Sequence, residues 1–160
     1  MKERFLHIIS EHQGIIHKVC RIYRDTAEDR EDLFQEIVYQ LWKAFPSFKE
    51  EAKPSTWMYK IALSTAVARY RKQHRITHQQ KVSMEKASYV VEGVEEETSE
   101  QKDKLYRAIG TLSQAEKAII TLYLDDYNYA EMAEIIGISE NYIGVKLNRI
   151  KEKLKKLVNH

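Results

Sequence analysis

From Leu33 to Phe45 the apolar residues Leu33, Phe34, Ile37, Val38, Leu41, Trp42 and Phe45 recur every three to four positions. An α-helix gathers that spacing on one side, whereas a strand would scatter it over two faces. Thr26 to Asp32, polar and acidic, reads as the start of this helix, and Pro46 ends it. Upstream, the pairs Phe5-Leu6, Ile8-Ile9, Ile15-Ile16 and Val19-Cys20 also fit helical spacing, with a break near Gly14. Downstream, a short loop runs to Pro54, and another helix extends from near Ser55 to about Gln73. Five glycines and two prolines in 160 residues are too few for the turns of an all-β fold. The expected fold class is all-α.

Helical periodicity fades after Ile76 and returns near Lys102. The chain therefore reads as two small helical domains, residues 1–76 and 102–160, joined by an acidic flexible linker over 77–101. In the second domain Ser113 and Glu116 have capping-box spacing and open a helix through about Leu124. Asn128 and Glu131 open the next, which ends at Gly137. Ser139 opens a last helix that runs nearly to the C-terminus.

Net charge is only +2, but it is segregated. Arg69, Arg71, Lys72, Arg75 and Lys81 form a segment without an acid. Five glutamates between Glu92 and Glu100 form one without a base. From Asn141 onward six Lys and Arg stand against Glu152 alone. Segregated basic segments are footprints of a polyanion partner or solvated helix faces. Cys20 is the only cysteine, which excludes an internal disulfide and a multi-cysteine zinc site and fits a reducing cytoplasm. The six histidines are assigned no metal role, and no cofactor is expected. No apolar run approaches the roughly 20 residues of a membrane span, so no membrane insertion is expected. Met1 to Glu11 is charged throughout and lacks a signal-peptide core.

Tyr129 to Arg149 matches a helix-turn-helix. Small Ala133 lies where two helices cross, Gly137 makes the turn, Ile138 plugs the space beneath, and Ile136 and Ile143 complete a small core. In the last helix Ile143, Leu147, Ile150, Leu154 and Leu157 repeat by four and three as the expected buried stripe. Asn141, Val145, Asn148 and Glu152 point the opposite way, flanked by Gly144 and Arg149, with Lys146 at the other edge. Asn pairs with adenine, Val touches a thymine methyl, and Arg149 and Lys146 suit guanine or phosphate. Gly144 is either a close approach to DNA or a tolerated weak spot. A plain helical hairpin is the alternative to the whole motif.

The helix after Ser55 carries one polar line: Trp57, Lys60, Ser64, Ala68, Arg71 and Arg75. That line suits a binder of single strands or melted duplex, with charges on phosphates and a ring on a base. It equally describes a core Trp beside a solvated basic edge. Asp29, Asp32, Gln35 and Glu36 make the preceding helix acidic on its polar side, as a solvated face or a dock for a basic protein.

These residues carry a family resemblance. Ala27-Glu28-Asp29 through Asp32-Leu33-Phe34-Gln35-Glu36 resembles the region-two core of bacterial sigma factors. Ser55 to Ala62 (S-T-W-M-Y-K-I-A) resembles their T-W-L-Y-x-I-A signature. Leu112 to Lys117 and Tyr129 to Ile138 resemble region four. Lacking regions one and three, the chain is similar to the extracytoplasmic-function (ECF) branch of the sigma-70 family.

The resemblance implies a non-catalytic subunit that brings core RNA polymerase to promoters and helps open them. Asp29, Asp32, Gln35, Glu36 and Trp42 would dock on the polymerase clamp helices. Phe48 and Lys49, with Trp57, Lys60, Ser64, Arg71 and Arg75, would read and melt the minus-ten element, binding the melted strand. Ser139, Asn141, Gly144, Val145, Lys146, Asn148 and Arg149 would read the minus-thirty-five duplex. Lys117 stands where the family often has a phosphate-gripping arginine. An anti-sigma factor is the further partner implied. Two departures concern specificity: Ser64 replaces the family's usual Asn, and Gly144-Val145-Lys146 replaces its common K-S-R run. The rivals are a free-standing helix-turn-helix regulator, which needs no polymerase, and a nuclease. No metal cluster, phosphate loop or nucleophile–base pair in the sequence supports the latter.

Overall fold

The computed structural model describes residues 1–49, 52–79 and 100–159; for Tyr70, Arg71 and residues 73–79 it describes the backbone only. Among the described residues all regular structure is helical. The chain divides into two compact units, Met1–Cys20 with Arg24–Val91 and Arg21–Tyr23 with Glu92–His160.

The first unit is built on α1 (Lys2–Glu11), α2 (Gln13–Tyr23) apart from its last three residues, α3 (Ala27–Ala44), a 3-10 turn (Phe45–Ser47) and α4 (Pro54–Gln79). The break between α1 and α2 falls at His12, whose N–H is shared between the Ile8 and Ile9 carbonyls at 3.1 and 3.2 Å. The helix start expected near Thr26 takes the form of an N-cap: the Asp29 N–H donates to Thr26 Oγ1 at 3.1 Å. Glu28 and Asp29 add negative charge at the positive end of the helix dipole. Pro46, which lacks an N–H, lies in the 3-10 turn after α3.

α3 packs on α4. Leu33, Ile37 and Leu41 are buried, as are Met58, Tyr59, Ala62, Leu63 and Ala66 of α4. Alanines at 62 and 66, four apart, allow close approach of the two helices. Cys20 is buried, and burial pushes its thiol up to about 12 against the lowering pull of Arg24 and Arg30. α4 outruns the expected end near Gln73 by about six residues. The expected linker therefore begins and ends in helix, and residues 80–99 lie outside the described residues.

The second unit consists of α5 (Glu100–Gly110), α6 (Gln114–Leu124), α7 (Tyr129–Ile136) and α8 (Glu140–Val158). Both capping boxes form. Ser113 Oγ accepts from the Glu116 N–H at 3.2 Å while Glu116 Oε1 accepts from the Ser113 N–H at 3.1 Å. Asn128 and Glu131 reproduce the arrangement at 2.8 and 3.1 Å. Gly137 closes α7 at φ 83°, a left-handed conformation in which a Cβ would be strained. α8 lies against α5, α6 and α7, and Ile143, Leu147, Ile150 and Leu154 supply its buried stripe.

Three expectations about this core need correction. Leu157 is 48% exposed, because the stripe continues past the last point where the unit offers a facing helix. Ile136 and Ile138 are only half-buried. Met132 and Ile135 are buried, and Ile135 is one residue position round the helix from Ile136.

Glu116 also ties α6 to α8. Its Oε2 accepts from Lys153 Nζ at 2.9 Å, with the carboxylate buried and the ammonium half exposed. Burial by itself would raise this carboxyl. The Lys153 contact and the Ser113 N–H and hydroxyl outweigh that and hold it below its ordinary value. A depressed carboxyl adds stability above the unfolded value, and that contribution is lost as pH falls through the folded value. Glu116→Gln is therefore expected to weaken α6 and α8 by about 1 kcal/mol at pH 7. The difference from the parent should shrink below the ordinary carboxyl value of 4.5, as checked by hydrogen exchange of α6 and α8 amides across pH.

Candidate nucleic-acid and polymerase interfaces

α8 presents an open face. Asn141, Asn148, Arg149 and Glu152 are exposed, and Val145 is 53% exposed although it is apolar. Lys146 and Gly144 are half-buried at its margins. Ser139 is the N-cap of α8, and its hydroxyl accepts from the Tyr142 N–H at 3.2 Å. The expected duplex-reading residues on α8 thus share one surface. Lys117 does not join them: it lies on α6 with 7% of its surface exposed.

The nearest side chain to Gly144 is that of Tyr129. A Cβ there would meet the ring of Tyr129, the first residue of α7, at 3.4 Å. That is ordinary van der Waals distance, so the fold itself does not require a glycine at this position. On the opposite flank is Tyr142, 45% exposed, with Lys146 Nζ 5.7 Å from its ring centroid. Tyr142 is not among the residues expected from the motif. The signal was available, since Tyr142 is a large apolar ring outside the buried 4-3 repeat. Part of the C-terminal basic charge is engaged within the unit, because Lys153 pairs with Glu116 and Lys151 Nζ lies 4.3 Å from the Tyr123 ring centroid.

In the first unit the stripe of α3 separates into two ridges. Leu33, Ile37, Leu41 and Phe45 are buried. Phe34 and Val38, expected beside them, are half-buried, and Trp42 is 43% exposed, its ring edge-on to Phe5 at 5.0 Å. Together with Phe5, Gln35 and the exposed Tyr39 they line an open apolar groove of about 390 Å³. Asp32 and Gln35 are exposed, whereas Asp29 and Glu36 are half-buried. Glu36 is partly engaged within the unit: it accepts from Gln40 Nε2 at 3.1 Å and lies 3.9 Å from Arg69.

At the start of α4, Trp57 is half-buried with its ring centroid 4.6 Å from that of Phe48 and 6.2 Å from that of Phe45. Phe48 and Trp57, expected to act together, are thus neighbours. Lys60, Ser64 and Ala68 are exposed in one line along α4, and Lys49 is exposed in the preceding loop. The Ser64 hydroxyl donates to the Ile61 carbonyl at 3.1 Å. The side chains of Arg71 and Arg75 lie outside the described residues. Among the described residues no group of three or more His, Cys, Asp or Glu could hold a metal ion. His74 and His78 are four apart on α4, but their side chains also lie outside the description.

Because an alanine methyl at 144 would make an ordinary contact with Tyr129, Gly144→Ala is expected to stabilise the second unit by about 0.5–1 kcal/mol through helix propensity. Amide exchange in α7 and α8 provides the check, and destabilisation would mean that the tyrosine ring cannot tolerate the methyl.

Comparison with known proteins accounts for both units. Residues 8–76 match Sigma-70 region 2 and residues 102–154 match Sigma-70, region 4. The ECF RNA polymerase sigma factor SigW of Bacillus subtilis is 24% identical, over 97% of this chain and 89% of its own length. SigM of Mycobacterium tuberculosis, also named an ECF sigma factor, is 21% identical over 98% and 78%. The fold is similar to that of the sigma factor RpoE, solved in complex with the anti-sigma factor NepR from Bartonella quintana. The TM-score is 0.77 at 18% identity, covering 99% of this chain and 96% of that one. It is also similar to CnrH, solved with the cytosolic domain of CnrY, with a TM-score of 0.69 at 17% identity and coverage of 99% and 90%. With region 2 and region 4 both matched in order, the chain belongs to the sigma-70 family, in its ECF branch, and directs RNA polymerase to promoters.

Proposed function

We propose that this sigma factor joins core polymerase through α3, reads and helps melt the minus-ten element with the Phe48–Trp57 corner and the α4 line, and reads the minus-thirty-five duplex with α8. The observation that carries the polymerase contact is the second ridge of α3. Phe34, Val38, Tyr39 and Trp42 expose more apolar surface than their own bundle covers, beside exposed Asp32 and Gln35. An apolar groove with an acidic border suits a basic protein helix and repels DNA. A free-standing DNA-binding regulator has no need of such a surface.

Mechanistically, the chain acts by tethering and differential binding and performs no catalysis of its own. Duplex contacts by α8 would hold the first unit over an A·T-rich step. Capture of an unstacked base at the half-buried Trp57 and of phosphates along Lys49, Lys60, Arg71 and Arg75 would offset the few kcal/mol needed to unstack and unpair it. Asp29, Glu36 and Lys117 are assigned supporting positions in this reading. An anti-sigma factor is a further proposed partner, supported by the fold neighbour RpoE, solved in complex with the anti-sigma factor NepR. No helix among the described residues is long and apolar enough to cross a membrane.

Mixing the chain with core polymerase should give co-migration in gel filtration and core-dependent transcription from a random promoter library. Trp42→Ala should weaken core binding by at least about tenfold, as the loss of a central aromatic anchor does. Asp32→Lys, a change at an exposed residue, should also weaken it. Binding of promoter duplex by the chain alone, without co-migration, would favour the regulator.

A further inference from the structure

The proposal that α8 enters a major groove leaves open which side chains discriminate bases. Gly144 offers no side chain, and a Cβ built there would lie 3.4 Å from the Tyr129 ring. On that flank the nearest large side chain is the Tyr129 ring of α7. Asn141 and Asn148 lie near the middle of the open face. Val145 lies there with them, and together with Tyr142, Lys146 and Arg149 toward the other flank, at spacings of three and four, it forms one contiguous cluster.

The composition of this cluster is unusual for a solvated surface. A β-branched Val and a Tyr, 53% and 45% exposed, stand next to each other in the first two turns of a helix otherwise polar on its open side. Val is a weak helix former, so neither propensity nor packing explains it at an exposed site. Lys146 Nζ, 5.7 Å from the Tyr142 ring centroid, lies on the same flank. Tyr142 is the third residue of the helix, at the end that reaches base edges in this type of motif.

The geometry points to Tyr142 as a specificity-determining residue that acts with Val145. The two form an apolar wall against which the 5-methyl group of a thymine packs, while Lys146 and Arg149 hold the phosphates or a guanine beside it. Thymine is the base that presents a methyl in the major groove, and cytosine at that place offers an amino donor that the wall cannot satisfy. The minus-thirty-five element of this sigma factor accordingly carries a thymine opposite the first turns of α8.

The test uses holoenzyme formed from the full chain and core polymerase. Transcription from a library randomised upstream of a fixed minus-ten element identifies the selected duplex bases. Each selected thymine is then replaced singly by deoxyuridine, which removes only the methyl. At one position initiation at limiting holoenzyme should fall about fourfold, the effect of one buried methyl group. Tyr142→Ala and Val145→Ala should abolish that difference. Tyr142→Phe, which keeps the ring, should preserve it. Both residues are exposed, and the Ser139 cap uses the backbone N–H of Tyr142, so these variants retain the fold. Equal transcription from thymine and deoxyuridine templates would overturn the inference. So would a Tyr142→Phe defect as large as that of Tyr142→Ala, because the hydroxyl would then be the contact. No core-dependent transcription from any template would instead sink the sigma assignment on which the inference rests.

Discussion

An α-helix whose apolar residues come in adjacent pairs has two ridges about 100° apart. A small bundle can bury one of them completely and the other only in part. In α3 the ridge of Leu33, Ile37 and Leu41 meets α4 and holds the first unit together. The ridge of Phe34, Val38 and Trp42 is left to Phe5, to His17 of α2 and to the outside. The division follows from the size of the unit, since a few helices provide too few facing surfaces for every apolar side chain. The same residues thus serve both stability and recognition, and the acidic groups beside the open ridge restrict which partners can use it.

The second unit handles charge in a related way. Its basic C-terminal segment is not uniformly available. Lys153 closes the Glu116 cap and Lys151 covers Tyr123, so two positive groups serve the packing of α8 on α6. Arg149 and Lys146 remain beside the apolar pair Tyr142 and Val145. This arrangement favours a reading surface that combines shape and methyl recognition with phosphate anchoring, rather than one built from a dense row of cations.

Much of this was legible in the chain because it depends on local rules. The caps at Thr26, Ser113, Asn128 and Ser139 need only a side-chain oxygen three residues before an N–H, and all four form. The turn at Gly137 needs only a residue that tolerates positive φ. The family motifs are also linear. Less legible was which member of an adjacent pair faces inward. Ile135 is buried where Ile136 was expected to be, because one step along a helix rotates a side chain by about 100° and only the facing helix selects the angle.

The all-α class, the order of a region-two and a region-four unit, the helix caps, and the open line Asn141, Val145, Asn148 on α8 are all written in local sequence. These follow from periodicity, capping chemistry and motif order, which involve neighbours a few residues apart. Packing between helices set the rest: Trp42 stays partly exposed beside Phe5, Glu116 and Lys153 join α6 to α8 across 37 positions, and the Tyr129 ring sits nearest to Gly144. Each of those depends on which distant helix arrives opposite a given face, and burial and pairing are properties of that meeting.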